Sequence, residues 1–478
     1  MIMKRIILGI LCVLISINAF SVSADFYVNG IGYTVLSFSG DLTCELSDGT
    51  ACSGDITIPE TVTYQGRTLK VIMIDNGAFA GTPVTSVILS KSIRSIGSQA
   101  FGRCNKLKTI TIPKSCDDYD SAFENCTSLT SVVILSDRIS SYAFRDCSSL
   151  QHIEANNVVT VDNCAFDGCM SLTSITLPNA TNFGFSCFSR CESLETVVAP
   201  QMAYIGSQAF YNCRSLSYVT FGDNIQVIGN EAFYKCLSLS NINFGNSQIE
   251  NLGEYAFYAC SALTSINIHG NVKFGSYAFA DCTSLSSIVI QNDVKFNNVM
   301  AVFENCPITV ITTASPYVLS VLSGKMGINI GNLKKITLLN GFKTTWTEII
   351  DHYEGEGSST TTSAVYNVPI DWEAMVNLEE LKSLSLEPPT LTGGGWFSSS
   401  QYLHLKVIVP TEALEAYQQA DVWKNFWNLQ GGATTGINAP TANSNGVNAP
   451  MYDIGGRKVM ETVKGQVYIK NGKKFIAR

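Results

Sequence analysis

One motif recurs about every 22 residues from residue 78 onward, and it limits the chain to a repetitive fold. The motif is a phenylalanine, usually preceded by alanine, with a cysteine three residues later, a leucine three residues after that, and then Ile or Val. Its phenylalanines are Phe79, Phe101, Phe123, Phe144, Phe166, Phe188, Phe210, Phe233, Phe257, Phe279 and Phe303. This period predicts a solenoid, in which a rung buries its apolar edge only against neighbouring rungs.

Strand alternation predicts which way the side chains of each rung point. In the segment 107–112, Leu107, Ile110 and Ile112 point inward, whereas Thr109 and Thr111 point outward. The outward pairs of the later rungs are predicted to be Ser131/Val133, His152/Glu154, Ser174/Thr176, Thr196/Val198, Tyr218/Thr220, Asn241/Asn243, Ser265/Asn267 and Ser287/Val289. A second apolar segment before each phenylalanine predicts another wall. We therefore expect an α/β-type solenoid of 22-residue rungs, mostly short strands and turns.

Composition and charge exclude several classes of protein. A hydrophobic fraction of 46% with only 15% charged residues is too apolar for a disordered chain. The net charge of −8 becomes −10 if Lys4 and Arg5 are removed with a leader. This balance argues against nucleic acid as a partner. Four histidines offer little for metal binding.

Residues 1–24 read as a secretory signal. Lys4 and Arg5 precede a mostly apolar stretch, and Val22-Ser23-Ala24 suits cleavage. A membrane anchor is the competing interpretation, but the apolar stretch is short and Asn18 interrupts it. No later run approaches the roughly 20 apolar residues of a spanning helix. The predicted location is therefore secreted or outer cell surface, without a membrane span in the mature chain.

Ten of the sixteen cysteines occupy one position of the repeat, which predicts a buried ladder of free thiols rather than a disulfide framework. The ten are Cys104, Cys126, Cys147, Cys169, Cys191, Cys213, Cys236, Cys260, Cys282 and Cys306. Cys44 and Cys52 differ because they flank Ser47-Asp48-Gly49. A three-residue hairpin loop there would place them opposite each other, so a disulfide between them is possible.

Motifs that carry chemistry are absent from the sequence. There is no nucleophile elbow, His-Glu-x-x-His motif, phosphate loop or dinucleotide fingerprint, and no Cys-x-x-Cys metal pattern. His152 and Glu154 form the one His/carboxylate pair on the polar face, and a solvated local pair is the simpler interpretation. We predict no catalytic residues, no metal and no cofactor.

The chain divides into six predicted segments. They are a signal peptide at 1–24, an N-terminal cap and first rung at 25–77, regular repeats at 78–310, degenerate repeats and a C-terminal cap at 311–430, a linker at 431–450, and a small β tail at 451–478. Residues 354–363 are predicted to be a flexible polar insertion, and Trp423, Phe426 and Trp427 to be the core of the cap. The tail is basic, with seven bases against two acids.

The repeat motif, together with Cys52–Pro59 and Thr61–Gly66, resembles the BspA-like leucine-rich repeat proteins. These are surface or secreted proteins found largely in anaerobic Bacteroidetes, a habitat that weighs against oxidation of Cys44 and Cys52. The resemblance is strong over 26–310 and resumes at Val409–Tyr417. Residues 451–478 resemble the C-terminal sorting domain of Bacteroidetes secreted proteins, and a β cap on the solenoid is the alternative.

This resemblance implies adhesion to host matrix proteins or to other cells. We expect a non-enzymatic adhesin or binding scaffold for a host protein or glycan. A structural spacer without a dedicated ligand is the alternative, and an enzyme acting on surface glycans is a third possibility that lacks a recognisable site. Tyr211, Tyr234 and Tyr258 share one repeat position and are the predicted ligand-binding strip, with Tyr218 on a different wall. The strip could instead only shield rung edges.

Overall fold

The predicted solenoid is present. The computed structural model describes residues 24–291, 299–342, 370–391 and 397–432, and the backbone of strands within 345–367 and 451–476. Each regular rung has three sides: a front strand, a short side strand, and a turn segment that carries the phenylalanine and the cysteine. The predicted signal peptide, apart from Ala24, lies outside the described residues.

The N-terminal cap is a mixed sheet. Its strands are Phe26–Val28, Ile31–Ser37, Thr43–Asp48, Arg67–Ile74 and Thr61–Tyr64, with Ser95–Ile96 pairing to Arg67–Ile74. Thr43–Asp48 pairs with Ile31–Ser37 and Arg67–Ile74, whereas the next strand, Gly54–Thr57, joins a different sheet. The predicted hairpin around Ser47-Asp48-Gly49 is therefore wrong, because Thr43–Asp48 already has partners on both edges. Cys44 is buried, Cys52 is half-buried, and both are free thiols. Their pairing stays a prediction.

The front strands are parallel and form three sections. The first contains Gly54–Thr57, Val84–Ile88, Thr109–Ile112, Ser131–Ile134 and His152–Glu154. The second contains Ser174–Thr176, Thr196–Val198 and Tyr218–Thr220. The third contains Ser265–Ile268, Ser287–Ile290, Val310–Thr313, Lys335–Leu338, Glu380–Ser383, Lys406–Pro410 and Leu429–Gly432. The last strand includes Gly431 and Gly432, the first two residues of the predicted linker 431–450, and the rest of that segment lies outside the described residues.

The alternation prediction holds for most front strands, as in Thr109–Ile112, where Thr109 and Thr111 are exposed and Ile110 and Ile112 are buried. Thr196, Val198 and Val289, which are also predicted to point outward, are nevertheless buried. Each of these residues stands between two neighbouring parallel strands, whose own side chains on the same face can cover it.

The side strands supply the predicted second wall as a parallel sheet of two-residue strands. They are Arg138–Ile139, Thr160–Val161, Asn182–Phe183, Tyr204–Ile205, Val227–Ile228, Asn251–Leu252 and Lys273–Phe274. The second residue of each strand is buried and the first is exposed or half-buried, so the strands close the core along one edge.

The phenylalanines form one continuous stack along the solenoid axis. The ring centroids of consecutive phenylalanines from Phe79 to Phe303 are 4.8–5.5 Å apart, and neighbouring rings are nearly parallel. Every ring is completely buried. The repeated phenylalanine therefore fills the core with rings that stack at close to the spacing of neighbouring strands.

The predicted thiol ladder is confirmed, and its thiols also have hydrogen-bonding partners. Each of the ten cysteines is free and buried. Its Sγ donates to the backbone carbonyl of a phenylalanine in the preceding rung, as Cys104 does to Phe79 at 3.0 Å and Cys213 to Phe188 at 3.1 Å. The remaining eight ladder cysteines repeat this bond. A small apolar side chain with one weak donor suits this position.

The C-terminal part replaces the regular turn segments with short helices and a hairpin. The α-helices are Pro316–Ser320, Ser399–His404 and Leu414–Gln419, and the 3-10 helices are Ile330–Asn332, Thr411–Ala413 and Trp423–Asn425. Strands Thr345–Glu354 and Ser358–Asn367 pair antiparallel. The insertion predicted to be flexible is therefore strand on both sides of residues 355–357, and its run of threonines suits a strand.

The cap contains two of its three predicted aromatic residues. Trp423 is fully buried and packs edge-to-face on Tyr417 at 4.9 Å, and its indole N–H donates to the Pro389 carbonyl. Phe426 is buried, but Trp427 is 81% exposed, so the prediction for Trp427 is wrong. The backbone is extended at Phe426, and successive side chains then point to opposite sides.

The tail is a separate four-stranded antiparallel sheet. Its strands are Lys458–Val459, Met451–Asp453, Val467–Lys470 and Lys473–Ile476, in that order across the sheet. Across the described residues, every helix is too short or too polar to cross a membrane.

Candidate binding surface on the turn face

The turn segments of the ten rungs between residues 98 and 305 stack into one surface, which we call the turn face. Each segment presents three side chains around the buried Ala-Phe pair: the residue before the alanine (first position), the residue after the phenylalanine (second position) and the residue before the cysteine (third position). In the rung of Phe101 these are Gln99, Gly102 and Arg103. First-position and third-position residues have positive φ, as at Gln99 (+57°) and Arg103 (+58°).

Tyr211, Tyr234 and Tyr258 stack at the second position, as their shared repeat position predicts. The centroids of Tyr211 and Tyr234 are 4.9 Å apart with an interplanar angle of 6°, and those of Tyr234 and Tyr258 are 5.1 Å apart with 13°. All three side chains are half-buried rather than fully exposed. The strip therefore also contributes to rung packing.

Two tyrosines at the first position extend this strip, and the sequence analysis missed them. Tyr255 and Tyr277 stack at 5.1 Å with an interplanar angle of 5°, and the Tyr255 ring meets Tyr258 edge-to-face at 5.6 Å. The signal was available in the sequence, because both residues immediately precede an Ala-Phe pair.

The five tyrosines line a depression of about 590 Å³ on the turn face. Glu231, Asp281 and Glu304 add three carboxylates, and no lysine or arginine is among the described residues that line it. The Tyr258 hydroxyl donates a hydrogen bond to Asp281, which raises the pKa of Tyr258 to about 12. Asp281 also accepts a hydrogen bond from Asn305 Nδ2 at 2.8 Å. The depression is thus aromatic and acidic.

Tyr218 lies elsewhere, as expected. It begins the front strand Tyr218–Thr220, is half-buried, and does not line the depression. The structure therefore brings together three of the four predicted binding tyrosines.

The N-terminal half of the turn face carries ion pairs instead of tyrosines. Arg190 Nη2 lies 2.7 Å from Asp167 Oδ2 and 3.1 Å from Asp146 Oδ1. Arg145 lies 3.4 Å from Glu124 and 3.5 Å from Asp167. The two arginines thus pair with all three carboxylates, whereas no lysine or arginine is among the described residues that line the tyrosine depression.

His152 and Glu154 lie together on the front strand His152–Glu154, and both side chains are exposed. Exposure to water leaves this pair without the enclosed pocket that catalytic groups ordinarily occupy. Within the described residues, no group of three or more His, Cys, Asp or Glu is placed to hold a metal ion.

Comparison with known families places this surface in context. The family model for the BspA type leucine-rich repeat region matches in six copies, over residues 72–195, 119–226 and 181–309. The chain belongs to the BspA-type leucine-rich repeat family. The matched residues contain the whole Phe stack from Phe79, the thiol ladder and the turn face. No curated protein matches the chain in sequence.

Several solved leucine-rich repeat structures are similar to this chain. A leucine-rich repeat protein of Bacteroides ovatus has 23% identity, with 86% of this chain and 100% of that chain covered and a TM-score of 0.47. A leucine rich cell surface protein of Faecalibacterium prausnitzii has 18% identity, with 86% and 95% covered and a TM-score of 0.30. The leucine rich repeat protein of T. pallidum has 22% identity, with 50% and 90% covered and a TM-score of 0.28.

Proposed function

We propose that this BspA-type repeat protein is a secreted or cell-surface binding scaffold, an adhesin for a host protein or glycan, and that its partner docks on the tyrosine half of the turn face. The observation that carries the proposal is the depression lined by five tyrosines and three carboxylates. Tyrosine offers a broad apolar face and a polar tip at low entropic cost, and it is enriched among residues that dominate binding energy. A solenoid presents such a surface on a rigid frame.

The proposal predicts a large loss of affinity when the second-position tyrosines are replaced. The triple variant Tyr211→Ser, Tyr234→Ser, Tyr258→Ser should bind an identified partner about 100-fold more weakly. Losses of this size are typical when residues at the centre of an interface are truncated. To measure this loss, residues 25–478 are first bound to arrays of host matrix proteins and glycans. Each hit is then titrated with the wild-type and variant proteins.

The matched control is the triple Tyr→Phe variant at the same positions, which keeps the stacked rings and removes only the hydroxyl groups. It should retain most of the affinity and most of the thermal midpoint, so comparison with the Ser variant separates loss of the rings from loss of the hydroxyl groups. Wild-type affinity in the folded triple Ser variant would place the binding site elsewhere. If the protein binds no molecule on the arrays saturably, a structural spacer is favoured.

We also propose that the tail directs surface display. This rests on its separate antiparallel sheet, its basic charge and its resemblance to C-terminal sorting domains. A small β cap on the solenoid is the second interpretation.

Deletion of residues 451–478 tests this proposal. The truncated protein should keep the circular dichroism spectrum and thermal midpoint of the full chain, because the tail strands pair only with one another in the described sheets. Surface display, measured by antibody labelling of intact cells, should fall close to background. Display at the full-length level would refute the sorting role, and a lowered midpoint would favour the cap.

A further inference from the structure

Two distant rungs of the turn face have nearly the same sequence. Residues 141–147 read Ser-Tyr-Ala-Phe-Arg-Asp-Cys, and residues 276–282 read Ser-Tyr-Ala-Phe-Ala-Asp-Cys. The two segments differ only at the second position, where one has Arg145 and the other has Ala280. The rest of each segment has the same backbone pattern, since Tyr142 and Tyr277 have φ of 57° and 58°, and Asp146 and Asp281 have φ of 56° and 60°.

The first of these rungs shows how the turn face holds an arginine side chain. The guanidinium carbon of Arg145 lies 5.7 Å from the centroid of the Tyr142 ring. Arg145 Nε lies 3.7 Å from Asp146 Oδ2 and 3.5 Å from Asp167 Oδ2, a carboxylate at the second position of the following rung. Arg145 Nη1 lies 3.4 Å from Glu124 in the preceding rung. An aromatic ring and carboxylates on both sides thus surround the guanidinium.

The second rung keeps this arrangement but lacks the arginine side chain. Tyr277 corresponds to Tyr142, Asp281 to Asp146, and Glu304, at the second position of the following rung, to Asp167. Tyr258 takes the place of Glu124 in the preceding rung. The tyrosine stack ends there, because the next second-position residue is Ala280, which is buried and contributes to the floor of the depression.

The charges around this place favour a cation. Glu304 is exposed, and no ion pair between it and a lysine or arginine is found in the described part of the chain. Lys235, which follows Tyr234 two rungs before Ala280, is directed to the Tyr234 ring at 5.2 Å. A guanidinium is planar, stacks on aromatic rings and pairs with carboxylates through several N–H groups, whereas a lysine ammonium offers only a point charge.

We infer that the depression over Ala280 receives an arginine side chain of a protein partner, stacked against Tyr258 and Tyr277 and paired with Glu304. The partner then supplies in trans what Arg145 supplies within the chain. This inference rests on the proposed function, since it names the partner chemistry of the same turn face. Of the two partner classes in the proposed function, the inference favours a protein with an exposed arginine rather than a glycan.

The test uses residues 25–478 and three blocked pentapeptides, Gly-Ser-Xaa-Ser-Gly, in which Xaa is arginine, lysine or citrulline. Citrulline has nearly the shape of arginine without its charge. Titration followed by ligand-observed NMR should show binding of the arginine peptide, with the citrulline peptide at least about tenfold weaker and lysine in between. Equal binding of the arginine and citrulline peptides would overturn the inference.

Substitutions in the chain locate the site. Ala280→Arg should abolish binding of the arginine peptide, because the new side chain fills the depression as Arg145 fills its own place. Glu304→Gln should weaken binding of the arginine peptide about tenfold. This variant replaces Ala280→Arg as the test if Ala280→Arg does not fold. The matched control is Gly102→Arg, which adds the same charge at the second position of a distant rung and should leave binding unchanged. Wild-type binding by folded Ala280→Arg would overturn the inference.

This inference and the proposed function fail separately. A partner that needs the tyrosines but binds Ala280→Arg at wild-type affinity overturns the arginine site and leaves the turn face as the binding surface. In the opposite case, the affinity of the partner is unchanged in the tyrosine variants, but Ala280→Arg abolishes binding of the arginine peptide. That result overturns the proposed function and leaves the arginine site.

Discussion

Raising the pH from 8 to 11 in the presence of a reductant should unfold the repeat region cooperatively, with a midpoint near pH 10. Burial raises the pKa of Cys104 to about 11, and it raises the pKa values of Cys169, Cys213 and Cys236 well above the ordinary thiol range. Of the ten ladder thiols, nine have a raised pKa. These buried thiols stay protonated in the folded state.

The sign follows from the protons bound in each state. An unfolded cysteine ionises at about pH 8.5, so above that pH the unfolded chain holds fewer protons and stability falls. The contribution is fully present below about pH 8.5 and is lost as the pH rises toward the folded pKa values. A thiol whose folded pKa lies well above pH 9.5 costs about 1.4 kcal/mol one unit above the unfolded pKa, so several such thiols together cost an amount comparable to the whole stability of a typical domain.

Circular dichroism against pH measures this transition, and the double variant Cys236→Ala, Cys260→Ala is the control. Both thiols lie in the middle of the ladder, so the variant should release about two fewer protons on unfolding and give a shallower pH dependence. Stability that is unchanged between pH 8 and 11 in the wild-type chain would contradict this role of the buried thiols.

Phe166→Ala should destabilise the repeat region by about 3–5 kcal/mol, the cost of removing a large buried aromatic side chain. Phe166 is fully buried and stacks between Phe144 at 5.5 Å and Phe188 at 5.4 Å. In a solenoid, each rung is stabilised by its two neighbours, so one gap weakens two interfaces. Urea unfolding followed by circular dichroism measures the loss.

Phe185→Ala is the matched control, because Phe185 lies just before the turn segment of the next rung and is 47% exposed. It should cost less than about 1 kcal/mol, the usual range for surface substitutions. Equal losses for the two variants would mean that the continuous Phe stack does not dominate the stability of the array.

Much of the architecture follows from the sequence because a solenoid repeats one local solution. The 22-residue period predicts the rungs, the apolar alternation predicts the inward side chains of the front strands, and the shared position of the ten cysteines predicts a ladder of buried thiols. Each of these rests on identical neighbours above and below, so a pattern along the chain becomes a pattern in space.

The sequence was less informative where the repeat is interrupted. Around Cys44 and Cys52 the local sequence predicts a hairpin, but Thr43–Asp48 pairs with two other strands instead. At Trp427 the chain turns into the last front strand, and alternation directs this side chain to solvent while Phe426 fills the cap. Strand pairing of the insertion likewise depends on a partner strand.

The sequence by itself determined the rung, its core residues and one column of tyrosines. Only the tertiary structure decided that Tyr255 and Tyr277 join this column around a depression. It also decided that the side chains around Ala280 leave a depression open, whereas Arg145 fills the corresponding place over Tyr142. The physical reason is that neighbouring side chains on the turn face are about 22 residues apart in the chain, so a site there is defined by the stacking of rungs and not by any one segment.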